Sequence, residues 1–286
     1  MKEIIETTVE QLRDPCVLIE NGIYYMYGTG WKCYQNTTGR LDGEWEYLGV
    51  VAKDTDDVET DRWAPEVHKY KGKFYMFTTY RSKKRGMRGC TVMCADTPEG
   101  PFTEISDGHI TPKEWDAIDA TLYIDENRDP WVVFVHEWTC MPNKIGRMAA
   151  AKLSDDLTRV ITEPIDLFGA MDAPWAIRGV TDGCWMHRTK EGNLLMLWSN
   201  FDKDGYCVGI AHSDNGRLDG KWTHELKPIF TKGDGIKYDV GHGMIFTDID
   251  GQMYLSIHSP NGSKEDRPEK PIFVPIHEEN GTIVIE

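Results

Sequence analysis

Five turn-and-strand units recur along the 286 residues at near-constant spacing, and a period of this size restricts the fold more than any other feature of the chain. The units are GIYYMYGTG (22–30), GKFYMFTTY (72–80), DPWVVFVHE (129–137), GNLLMLWSN (192–200) and GQMYLSIHS (251–259), with steps of 50, 57, 63 and 59 residues between their starts. Repetition on this scale means a solenoid or a radial array of small supersecondary units. Ahead of the turns lie residues capable of acid-base or metal chemistry: Asp14, Asp119, Asp182 and His242 at eight to ten residues, Glu66 at six. In a radial array equivalent positions converge on one axis. The repeat therefore bears on the active site as well as on the fold.

Each unit opens with a short run such as DPCVLIEN, APEVHKYK or GHGMIFTDID, rich in aromatic and β-branched residues and poor in i, i+3, i+4 patterning, so the two segments flanking each turn read as a hairpin. A third strand follows in several repeats (90–105, 146–157 and 207–222), and the endings LDGEWEY, PEGPFTE and LDGKW suggest an outer strand plus a loop whose aromatic closes the unit. Five units of about four strands predict an all-β, five-bladed propeller with a central pocket, as one catalytic domain over residues 1–286. Residues 54–61, 138–143 and 260–268 read as polar rim loops, and either 3–9 or 272–285 could close the ring.

The composition is that of a globular protein, and the net charge of -15 repels phosphate backbones and anionic lipid, so nucleic acid and membrane surfaces are poor partners. The one basic run, Lys83-Lys84-Arg85, reads as a solvated loop. No stretch approaches the roughly 18 to 20 apolar residues that span a bilayer, and the start MKEIIETTVEQ is too polar for a signal-peptide core. A cytoplasmic protein is the expectation, with a trimmed secreted one as the alternative. Seven cysteines without a CxxC pair suggest free thiols in a reducing compartment.

Several carboxylates round one cavity are costly to leave unpaired, and their mutual repulsion drives pKa values apart, which is what general acid and general base catalysis needs. The motifs Arg13-Asp14-Pro15, Trp63-Ala64-Pro65-Glu66, Ile118-Asp119-Ala120 and Gly241-His242-Gly243 resemble, in order and spacing, the signatures of glycoside hydrolase family 43 over essentially the whole chain. The resemblance implies a five-bladed propeller that releases or cleaves arabinofuranosyl and xylopyranosyl units of plant oligosaccharides with inversion. It implies Asp14 as general base and Asp119 as the carboxylate that tunes and orients the acid. It also implies that His242 faces a cation or water cluster, often calcium, a metal that would be mostly hydrated and structural rather than catalytic; no organic cofactor is expected.

One position departs from the pattern. The family's acid is usually a Glu in a Glu-Gly-Pro-like motif, whereas this chain has Thr181-Asp182-Gly183-Cys184, so either Asp182 or Glu137, at the end of its hairpin's second strand, fills the role. Inversion requires carboxyls about 6.5 to 9.5 Å apart, a gap that different blades can supply. Trp31, Trp63, Trp138, Trp185, Arg178 and Glu66 are the candidate sugar contacts, whereas Trp131 and Trp198, inside strands, read as core. A non-catalytic carbohydrate-binding propeller, or another five-bladed glycosidase or a phosphorylase, is the alternative. Oligomeric state is not legible.

Overall fold

The computed structural model describes residues 3–263 and 267–286, and it is a five-bladed β-propeller. Blade 1 comprises Cys16–Glu20, Ile23–Gly28, Lys32–Asn36 and Glu46–Val50; blade 2, Val58–Tyr70, Lys73–Ser82, Arg88–Ala95 and Thr103–Glu104. Blade 3 comprises Ala117–Ile124, Pro130–His136, Arg147–Lys152 and Ile165–Gly169; blade 4, Asp182–Arg188, Leu194–Asp202, Gly205–Ser213 and Trp222–His224. Blade 5 is built from Gly241–Thr247, Met253–Ser259 and Lys270–Glu279. Every neighbouring pair within a blade is antiparallel.

Both chain ends close the ring. Ile5–Glu6 pairs with one half of Lys270–Glu279 (Ile5 opposite Phe273), and Thr282–Ile285 pairs with the other half (Ile276 opposite Ile285). The two closing segments left open by the sequence thus share one strand. Of the predicted rim loops, 54–61 is partly strand, because the first strand of blade 2 begins at Val58, and residues 264–266 of the third lie outside the described residues.

The second strands are apolar on both sides because blades stack face to face. Apolar clusters fill the seams: one between blades 3 and 4 around Trp198 and Trp175, another between blades 2 and 3 around Phe77 and Phe134. The closing aromatics behave as expected, with Trp45, Phe102 and Trp222 buried. Trp45 and Trp222 each donate Nε1–H to a carbonyl four residues earlier, Leu41 at 3.0 Å and Leu218 at 3.2 Å. All seven cysteines are free thiols.

At the inner end of each first strand the chain makes the same departure from regular geometry. Asp14 (φ 56), Ala64 (φ 41), Asp119 (φ 56), Gly183 (φ 53) and His242 (φ 41) all take left-handed backbone, and in blades 2 to 5 the pairing register slips there. Left-handed backbone costs a non-glycine residue about 1–2 kcal/mol. Four of five blades bear that cost at the channel, and in three of them the kinked residue, Asp14, Asp119 or His242, lines the central pocket. The true repeat position is therefore Asp14, Ala64, Asp119, Gly183 and His242. Glu66 and Asp182 stand two residues after and one before it, a correction to the equivalence expected from turn spacing.

Candidate active site

Three of the kinked residues, Asp14, Asp119 and His242, form the floor of a pocket of about 430 Å³ on the channel axis, large enough for a sugar unit. The residues one step earlier, Arg13, Trp63, Ile118 and Asp182, rise above that floor as walls. Arg88, Glu137, Trp138, Arg178, Val180, Phe201 and Tyr206 complete the lining.

The floor is held by a second repeating device. Seven residues after each turn comes Thr29, Thr79, His136, Ser199 or His258. Three of these cap the backbone N–H of the next blade's floor residue: Ala64 N–H donates to Thr29 Oγ1 at 3.0 Å, Asp119 N–H to Thr79 Oγ1 at 3.0 Å and Asp14 N–H to His258 Nδ1 at 3.2 Å. Ser199 is buried at the equivalent place with no partner for its hydroxyl among the described residues. His136 breaks the series by stacking on Trp115 (centroids 3.7 Å apart), which leaves the Gly183 N–H to donate to Asp119 Oδ2 at 2.9 Å. Asp119 is thereby turned toward blade 4.

Asp14 sits among groups that favour its charge. Thr29 Oγ1 accepts from the Ala64 N–H, so the Thr29 hydroxyl proton is free to point at Asp14 Oδ2, 2.5 Å away. Arg13 Nε lies 3.5 Å from Oδ2 and His242 Nδ1 3.6 Å from Oδ1. Burial alone would raise this carboxyl, but His242, Arg13 and the Thr29 hydrogen bond hold it down at about 2. His258 Nδ1 is 3.5 Å from Oδ1 without forming an ion pair. That nitrogen accepts from the Asp14 N–H, and burial lowers the imidazole to about 3, so it is neutral.

Asp182 is the opposite case. Loss of hydration in the pocket wall and the nearby Asp119 push it up to about 7, against one hydrogen bond from the Tyr206 hydroxyl to Oδ2 at 2.9 Å. Asp119 is raised too, by burial and by Asp14, with His242 Nδ1 at 3.6 Å opposing. One imidazole nitrogen thus stands between Asp14 and Asp119. Burial lowers His242, yet the surrounding carboxylates, Asp119 first, carry it above its ordinary value.

Glu137 is buried and raised by that burial, but it is committed elsewhere: Arg88 Nη2 and Thr139 Oγ1 both donate to its Oε2. Its ionic partner is Arg88. Arg88 also reaches Asp116 and lies 5.1 Å over the Trp63 ring, bracing one wall. Arg178 lies 4.0 Å over the Phe201 ring and lines the pocket, as do Trp63 and Trp138.

Three proposed sugar contacts lie elsewhere. Trp31 is fully buried and donates to Thr78 Oγ1 at 2.8 Å, supporting the strand that carries Trp63. Trp185, three residues beyond Asp182, stacks on His68 (5.5 Å) toward the opposite mouth of the channel. Glu66 is buried beneath the floor with a carboxylate oxygen 3.3 Å from His68 Nε2. Sequence reasoning missed Arg88 and Tyr206 as site residues. Both start third strands, and the loops before third strands vary in length, so no fixed spacing marks them.

Calcium takes about six to eight oxygen ligands. His242 instead directs Nδ1 at two carboxylates, and among the described residues no group of three or more His, Cys, Asp or Glu side chains is arranged to hold a metal ion. The described side chains alone therefore do not make up a calcium shell, and no step below runs through a cation.

Similarity to known proteins agrees with this geometry. An endo-arabinase from Bacteroides thetaiotaomicron superposes with a TM-score of 0.85 at 33% identity, over 99% of this chain and 100% of that one. An extracellular exo-α-(1->5)-L-arabinofuranosidase from Streptomyces chartreusis is 25% identical over 80% of this chain and 71% of its own length. A probable arabinan endo-1,5-α-L-arabinosidase B from Aspergillus oryzae is 33% identical over 34% of this chain, a match spanning only 28% of that enzyme. The model of glycosyl hydrolases family 43 matches residues 7–275. With the match running through all five blades and the pocket at their centre, this chain belongs to glycosyl hydrolases family 43 and is a glycoside hydrolase.

Proposed function

We propose that this enzyme hydrolyses arabinose-bearing plant glycans, with xylose-bearing ones as the second substrate class, by a single inverting displacement. The observation that carries the mechanism is the divergence of two carboxyls on one pocket: Asp14 held at about 2 and Asp182 raised to about 7. Between these two values the first is ionised and can act as a base while the second holds its proton, the division of labour that glycoside hydrolysis requires. Water attacks the anomeric carbon as Asp14 takes one of its protons. The glycosidic C–O bond breaks and Asp182 gives its proton to the departing oxygen. Asp119, bonded to the Gly183 N–H beside the acid, sustains the raised pKa of Asp182.

Asp182 is favoured over Glu137 because Glu137 already accepts from Arg88 and Thr139 and would have to break an ion pair to donate. The arabinose preference rests on the relatives named above, two arabinanases and an arabinofuranosidase. A panel of aryl α-L-arabinofuranosides and β-D-xylosides, with debranched arabinan and xylan alongside, tests it. The expected result is turnover without added phosphate, fastest on arabinosides, with the first-formed sugar of inverted configuration by proton NMR. A retained anomer overturns the mechanism, and sugar binding without turnover overturns the catalytic reading.

A further inference from the structure

The shorter acid poses a geometric problem: among the described residues no side chain on its own strand hydrogen-bonds its carboxyl, and the bond that holds it comes from the third strand of the same blade. The Tyr206 hydroxyl donates to Asp182 Oδ2 at 2.9 Å, and Tyr206 is only 2% exposed. Its ring packs against Phe201 (5.0 Å) and His258 (6.2 Å), and its carbonyl accepts from Val240 N–H at 2.9 Å. The ring also lies flat on Gly241. A Cβ at Gly241 would stand 2.0 Å from Tyr206 Cε1 and 2.2 Å from Cδ1, a distance no real contact allows. The glycine before His242 therefore has a definite task, to seat this tyrosine.

We propose that Tyr206, seated on Gly241, is a positioning residue that fixes Asp182 and determines which of its oxygens carries the transferable proton. A phenol O–H that donates to Oδ2 makes that oxygen the acceptor, so the acid's own proton resides on Oδ1. In a side chain with two torsions, holding one oxygen also sets the direction of the other. The inference rests on the reading of Asp182 as the acid.

The charged and titratable groups facing Asp182 are Asp119 and Glu137 from blade 3, His242 from blade 5, Arg13 from the segment entering blade 1, and Tyr206 itself. Among them the Tyr206 hydrogen bond stabilises the ionised form, so deleting the hydroxyl raises the acid's pKa further. Tyr206→Phe should therefore lower kcat/KM near pH 6 by about tenfold through lost orientation, and move the alkaline limb of the pH profile upward by about one unit, since a hydrogen bond to a charged group is of that strength. Gly241→Ala, which displaces the ring, should shift the limb in the same direction.

The test is the kcat/KM profile from pH 5 to 10 on an unactivated arabino-oligosaccharide for wild type, Tyr206→Phe, Gly241→Ala and Asp182→Asn. An upward shift of the limb in the first two variants supports the proposal. A fall in rate with the limb unmoved overturns it, because a merely structural tyrosine would lower the plateau alone. If Asp182→Asn keeps the wild-type rate and limb, the acid assignment fails and the inference with it. If Asp182→Asn abolishes the limb while Tyr206→Phe leaves it in place, only the inference fails.

Discussion

The entrances to blades 1 and 4 hold carboxylates a few residues from matching turns, yet they present opposite chemistry. Asp14 is on the kink itself, 8% exposed, and is met by an arginine, an imidazole and a hydroxyl. Asp182 is one residue before its kink, partly open to the pocket, with one phenol as donor and two carboxylates, Asp119 and Glu137, among its neighbours. Depth of burial does not decide which one ionises; the sign of the surrounding charge does. The lesson is that one step along a bulged strand moves a carboxyl from the charged floor to the acid-holding wall.

Exchanging either carboxyl for its amide should give the largest effects. Asp14→Asn and Asp182→Asn should each lose about 10²- to 10⁴-fold in kcat/KM on an unactivated arabino-oligosaccharide, measured by reducing-sugar release. Glu137→Gln should cost far less on the same substrate, about tenfold, by loosening Arg88 and hence the Trp63 wall. A loss equal to that of Asp182→Asn would move the acid to blade 3.

The pH profile sharpens the contrast. A general acid must be protonated, so kcat/KM should fall as pH rises through about 7, where Asp182 ionises. Asp14, ionised down to about 2, should contribute no loss across the range from 4 to 7. Stability follows the same signs. A group whose folded pKa is raised stabilises the fold below its unfolded value and loses that contribution as pH climbs, here between about 4 and 7 for Asp182. Asp14 does the reverse, with its contribution lost as pH falls from about 4 to about 2. Asp182→Asn, which keeps an acceptor for Tyr206, should accordingly raise Tm at pH 8 by about 2–4 °C while impairing hydrolysis of unactivated substrates. Ala64→Gly should give the smallest change, about 1–2 °C upward by calorimetry, because it removes the penalty of left-handed backbone at a floor position without a catalytic group.

Much of this was legible in the spacing. The turn and second-strand pattern marks all five blades, and Asp14, Asp119 and His242 fall on the true floor because their motifs sit at the kink. Glu66 and Asp182 do not, since a bulge shifts which residue faces inward and its φ leaves no trace in composition. Thr29, Thr79 and His258 share the seventh position after the turn, a signal present in the sequence but meaningless until the kinks they cap are seen. Arg88 and Tyr206 enter from third strands whose preceding loops differ in length. Trp31 and Trp185 show why aromatic content alone misleads: the same residue type is buried core at Trp31, stacks on His68 at Trp185 and lines the pocket at Trp63 and Trp138.

The central claim, base on blade 1 and acid on blade 4, is tested most directly by the dependence of kcat/KM on leaving-group pKa in Asp14→Asn and Asp182→Asn. An aryl arabinoside with a strongly acidic phenol needs no proton to depart. The account predicts that Asp182→Asn recovers to within about tenfold of wild type on that substrate while Asp14→Asn stays impaired on every substrate. Recovery of Asp14→Asn instead, or equal impairment of both across the whole series, would contradict it.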